Sequence, residues 1–97
     1  MPTYVSLLRY TQQGIASAKN GPARLDAAKE AYRRAGGELK ALYLTMGQYD
    51  FVAIVDLPDD TAAARMALAL GAQGNIRSET LRAFGEAEYR QIAASLP

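Results

Sequence analysis

Residues 36–60, GGELKALYLTMGQYDFVAIVDLPDD, hold two runs of strand-forming residues joined by a tight turn. In the first run, residues 38–46, Leu39, Ala41, Tyr43 and Thr45 alternate against Lys40, Leu42, Leu44 and Met46, so the predicted strand is largely apolar on both sides. In the second, Tyr49, Phe51, Ala53, Val55 and Leu57 alternate against Val52 and Ile54, with Asp50 and Asp56 towards the two ends. Gly47-Gln48 is too short a connection for a parallel crossover, so the two runs pair as an antiparallel hairpin. Pro58 ends the second run. Asp59, Asp60 and Thr61 each carry a side-chain oxygen able to cap the N-terminus of a following helix.

Working outward, TYVSLLR (3–9) reads as a strand, bounded by Pro2 and the polar residues after Tyr10. Residues 11–21 form a connection with Gly14, Asn20 and Gly21, in which Ile15 and Ala18 suit one helical turn. PARLDAAKEAYRRAGG (22–37) starts on a proline suited to a first helical turn and ends on two glycines. Leu25, Ala28, Tyr32 and Ala35 recur in it at helical spacing. TAAARMALALGA (61–72) is a second helix with Ala63, Met66, Ala67 and Leu70 on one face. NIRSETLRAF (75–84) is a last strand, and EAEYRQIAASL (86–96) a short helix with Tyr89, Ile92, Ala93 and Leu96 on one side.

The order is β-α-β-β-α-β with a C-terminal helix, the split βαβ or ferredoxin-like plan of the α+β class. It predicts one domain over residues 1–97, a four-stranded antiparallel sheet in the order 4-1-3-2, and both main helices on one face. The strands offer apolar side chains to the other face as well. Such a face marks an interaction surface, and the expected solution is sheet-to-sheet packing of two copies into a dimeric α/β barrel.

Composition narrows the chemistry. Of the 49% apolar residues, 19 are alanine, so the core must come from few larger side chains. Eleven basic and ten acidic residues give a net charge of +1 without a basic block, which argues against nucleic-acid binding; Arg33-Arg34 sits where cations complement a helix C-terminus. There is no cysteine and no histidine, which removes thiolate chemistry, the commonest general base and the commonest transition-metal ligand. No dense acidic cluster or nucleotide-binding glycine motif occurs, so no metal and no cofactor is expected. The first residues lack a secretory signal and no apolar stretch reaches membrane-spanning length, so a cytoplasmic protein is expected.

MPTYVSLLRYTQQGI, the set Lys19, Pro22 and Arg24, the stretch 36–60, and LALGAQGNIRSETLRAF (68–84) together resemble the bacterial GYD-domain family over nearly the whole chain. The resemblance implies membership of the dimeric α/β barrel superfamily and otherwise little about function, since GYD proteins are largely uncharacterised. Its wider relatives include effector-binding domains of Lrp-type regulators, cofactor-free monooxygenases and small isomerases. Kinship at the level of fold assigns none of these activities.

Several residues stand out for chemistry. Tyr49 and Asp50 place a phenol beside a carboxylate, but alternation sends them to opposite faces, with Tyr49 expected on the side of Phe51 and Val55. The expected role of Asp50 is to accept backbone amides at the turn. Arg77 and Arg82 can grip a carboxylate ligand or pair with Glu79 or Asp50. Tyr4, Tyr10 and Tyr43 combine rings with hydroxyls, suiting an aromatic ligand or an apolar core. Lys19 and Arg24 flank a helix N-terminus, where anions bind. Candidate ligand-binding residues are therefore Tyr4, Lys19, Arg24, Tyr43, Tyr49, Arg77 and Arg82. Three functions fit: a small-molecule-binding or sensory module that self-associates and takes an anionic or aromatic ligand; a cofactor-independent enzyme working with Tyr, Arg and carboxylates; or a structural assembly protein.

Overall fold

The computed structural model describes all 97 residues. Four strands, β1 (Thr3–Tyr10), β2 (Glu38–Leu44), β3 (Phe51–Asp56) and β4 (Ile76–Ala83), form one sheet in the order β2-β3-β1-β4, with every neighbouring pair antiparallel. This is the predicted 4-1-3-2 order, seen from the other edge. The helices are α1 (Gln12–Ala16), α2 (Gly21–Arg34), α3 (Asp60–Ala72) and α4 (Glu86–Ala94), with a 3₁₀ turn at Ala18–Asn20.

The chemistry of the helix ends explains where α2 and α3 begin and stop. Pro22 lies in the first turn of α2, where its missing N–H costs nothing. At the other end Gly36 adopts φ 87°, a left-handed conformation open to glycine, and the Gly37 N–H donates to the Tyr32 carbonyl at 2.9 Å. In α3 the Asp59 carboxylate accepts from the Ala62 N–H at 2.9 Å, so Asp59 serves as the cap among the three candidates.

Strand register assigns the two faces. The pairs Tyr4–Val55, Ser6–Ala53 and Leu8–Phe51 in β1–β3 line the face under α2 and α3. Val5–Ile54 and Leu7–Val52 line the other. A register shift between Leu39 and Ala41 corrects the alternation expected for β2. Lys40 is the extra residue of a bulge, its Nζ 3.6 Å from the Asp56 carboxylate. Across the bulge the pattern changes phase, so Leu39, Leu42 and Leu44 all serve the helical face, while Ala41 and Tyr43 serve the open one.

The core is thin, as the alanine content requires. Ten residues are buried, and only Val55 and Leu57 combine a sizeable side chain with about 1% exposure. Tyr4, Tyr32 and Met66 supply most of the remaining bulk, against Ala53, Ala62 and Ala63. No buried side-chain polar atom lacks a hydrogen-bond partner. The C-terminal helix α4 takes no part in the core, since none of its residues is buried. The molecule is accordingly extended, 51 × 31 × 18 Å. Its radius of gyration is 14.6 Å, against about 12.5 Å for a compact chain of this length. No helix is long and apolar enough to cross a membrane.

Candidate functional site

Between α2, the C-terminal end of α3 and the sheet lies a groove of about 320 Å³. Leu8, Phe51 and Ala53 form its floor, and Leu25, Ala28, Tyr32 and Leu70 its walls. The Tyr10 ring meets Phe51 edge to face with centroids 5.4 Å apart, setting the end of the floor. There the lining turns polar, with Tyr10, Arg24, Gln73 and Asn75.

That end is built by the connection between β1 and α2, tied down by a dense set of hydrogen bonds. Thr11 caps α1 by accepting from the Gly14 N–H at 3.0 Å, and its hydroxyl donates to the Gly74 carbonyl at 2.5 Å. Gln13 Nε2 donates to the Gln73 carbonyl at 3.1 Å and to Asn75 Oδ1 at 3.0 Å. Gly14 is buried hard against the Asn75 carbonyl, and a Cβ there would overlap that oxygen. Arg24 completes the connection: Nη1 donates to the Ser17 carbonyl (3.2 Å) and hydroxyl (3.1 Å), and Nη2 to the Gly14 carbonyl (3.3 Å). Its charge faces the groove while much of its donor capacity is spent on the loop. Lys19 lies exposed on the 3₁₀ turn just before α2, whose N-terminus receives no side-chain cap from Asn20.

The other tyrosines named from the sequence lie elsewhere. Tyr4 is buried at 3% exposure, its hydroxyl donating to Asp60 Oδ1 at 2.5 Å, with the Arg82 guanidinium 5.8 Å from its ring centroid. Burial, reinforced by the Asp60 carboxylate, pushes its phenol from 10.0 to about 12. Tyr43 is exposed on the open face of β2.

Tyr49 differs from expectation. Its hydroxyl donates to Glu79 Oε2 at 3.0 Å and its ring lies under the Arg9 guanidinium at 4.7 Å, both partners being on the open face. The phase of Phe51 and Val55 fails here because β3 begins only at Phe51, and residues 45–50 form a bend that resets the side-chain direction. The hydrogen bond to Glu79, aided by desolvation, raises the Tyr49 pKa, with Arg9 opposing. Asp50 acts as a fastening, as expected, although the amide it accepts, at 2.8 Å, is that of Tyr10 on β1 and not one within the turn. Its own N–H donates to the Leu8 carbonyl at 2.8 Å.

Arg77 and Arg82 do not converge. They occupy opposite faces of β4, Arg77 level with Arg9 and Arg82 level with Tyr4. Neither forms an ion pair; Arg82 donates to backbone carbonyls of Thr3 and Ala83 and stacks at 4.4 Å over Phe84. No group of three acidic side chains is gathered as a metal site. Of the seven candidates, the structure brings only Arg24 to the groove. Phe51, Gln73 and Asn75 line it without having been singled out. Apolar residues on the inner face of a sheet read as core, and nothing local reveals that α2 stands off from them.

The fold and the site together define an α+β ferredoxin-like domain with one bare sheet face and an apolar groove under its helices. A profile for the GYD domain matches residues 4–93, and the chain belongs to the GYD-domain family. It is 33% identical over 89 residues, 91% of this chain and 94% of the relative, to the "Glutamine synthetase and cystathionine beta-lyase binding protein" of Thermus thermophilus. The crystal structure of TTHA0845, also from Thermus thermophilus, is similar to it with a TM-score of 0.54 and 29% identity, covering 88% of this chain and 95% of that one.

Proposed function

We propose that this chain is a cytoplasmic binding module that holds a small, mainly apolar molecule in the groove beside α2 and self-associates through its open sheet face. The groove itself carries the reading. Its volume of about 320 Å³ falls in the range of small-ligand sites, and an apolar lining with a few polar groups at one end orients a molecule of the same polarity. Arg24, with Tyr10 beside it, favours an anionic or aromatic polar group at that end. The high phenol pKa values make Tyr4 and Tyr49 hydrogen-bond donors and poor bases near neutral pH. Native mass spectrometry of protein purified from its host tests the proposal. The expected spectrum carries a small-molecule adduct that denaturation releases and that Ala28→Trp, which fills the groove, removes. Bare-chain masses for both proteins would count against it.

A second reading, binding of other proteins, draws on the relative named for binding glutamine synthetase and cystathionine beta-lyase. Under that reading this chain docks on enzymes of the same kind. Co-sedimentation of the purified chain with purified glutamine synthetase would support it, and independent sedimentation would oppose it.

A further inference from the structure

Helix α4 has an apolar stripe and nothing to pack it against. Tyr89 and Ile92 lie on one side of it at helical spacing, exposed by 64% and 46%, and Leu96, two residues past its end, is exposed by 67%. The helix has nine residues, whereas isolated helices shorter than about 12–15 residues are marginal in water. Its own supports are slight: the Gly85 N–H bonds to the Glu88 carboxylate, and Arg90 pairs with Glu86 while both stay largely exposed. Tertiary packing has to supply the rest.

The open sheet face has the complementary shortage. Four strands of six to eight residues present a projected face of only about 450 Å², given ~4.8 Å between strands and ~3.3 Å per residue. Each partner in a stable pair contributes about 800 Å². The exposed parts of Tyr89, Ile92 and Leu96 add on the order of 300 Å², since a buried aromatic ring alone accounts for about 150–250 Å². Adding the helix stripe to the sheet face brings each copy close to the area a stable pair needs. We infer that α4 is a clasp: in a sheet-to-sheet pair of two copies, each α4 and the turn after it lay Tyr89, Ile92 and Leu96 on the other copy. The clasp rests on the self-association proposed above. Two-fold symmetry places it twice in each pair, so a substitution in α4 acts at both ends.

Sedimentation velocity on the full-length chain over a range of micromolar concentrations tests the clasp. Wild type is expected to sediment as a pair. Tyr89→Glu with Ile92→Glu is expected to weaken pairing at least about 100-fold, the effect of burying four unpaired charges across the two interfaces. Gln91→Glu, on the opposite side of α4, leaves pairing unchanged. The double variant keeps its fold, because α4 contributes no buried residue, and near-ultraviolet circular dichroism verifies this. If wild type and the double variant pair equally well, the clasp is overturned while self-association stands. If wild type is monomeric throughout, both are overturned, including the case in which α4 instead captures glutamine synthetase.

Discussion

The Tyr4 hydroxyl donates a 2.5 Å hydrogen bond to the Asp60 carboxylate, joining the first strand to the opening turn of a helix 56 positions later. Asp60 sits where a negative charge complements the helix dipole, and the bond adds a donor from the core to that charge. Tyr4 is thereby fixed as part of the fold, with its ring under Arg82.

The alkaline limb of stability follows from this pair. The Tyr4 phenol is raised from 10.0 to about 12, so the folded state holds the proton more tightly than the unfolded one. The stabilisation is fully present below about pH 10, declines as pH rises above that value, and is gone beyond about 12. Absorbance titration of the phenolates in wild type is expected to keep rising past about pH 11, between those two limits, and Tyr4→Phe to lower that late amplitude. Equal late amplitudes in the two proteins would show that Tyr4 ionises freely.

Gly14 permits the close approach of α1 to the turn between α3 and β4. Gly14→Ala forces a methyl group onto the Asn75 carbonyl, which belongs to the backbone and has little room to yield. Overpacking of this kind costs about 1–3 kcal/mol. In a domain of this size that amounts to several degrees in melting temperature for each kcal/mol, read by calorimetry. Gly71→Ala, where a methyl would meet nothing, is the matched control.

Arg24 holds the Ser17 and Gly14 carbonyls together beneath the mouth of the groove. Arg24→Ala is expected to lose about 1–3 kcal/mol and to raise hydrogen exchange in residues 14–20. Arg24→Lys should recover only part of this, since one ammonium cannot span two carbonyls as a guanidinium does. Full recovery by lysine would show that Arg24 contributes charge alone.

With so few large buried side chains, each one carries much of the stability. Leu57, at 1% exposure, packs beneath Gly37 and receives no second layer from α4. Leu57→Ala is expected to cost about 2–5 kcal/mol, a large share of the roughly 5–15 kcal/mol that a domain has in total. Chemical denaturation of the variant at constant m-value measures the loss.

The strand order and both main helices were legible because each rests on a local rule: alternation in residues 51–56, helical spacing from Leu25 to Ala35 and from Ala63 to Leu70, and a turn too short for a crossover; the α3 cap was legible only as one of Asp59, Asp60 and Thr61. Position-by-position facing was less legible wherever one residue changes the phase. The bulge at Lys40 turned Leu39 to the same side as Leu42, and the bend at residues 45–50 placed Tyr49 against Glu79. Neither event leaves a signature in residue type. The groove was illegible for a different reason. Leu25, Ala28 and Leu42 have the composition of a closed core, and only the spacing between α2 and the sheet shows that they line a cavity.

Fluorescence titration with 1-anilinonaphthalene-8-sulfonate, an aromatic anion of the polarity the groove favours, tests the account most directly. One saturable site per chain is expected, abolished by Ala28→Trp in the groove and retained by Ile54→Arg on the open sheet face. Binding that survives Ala28→Trp, or vanishes only with Ile54→Arg, would contradict the groove as the ligand site.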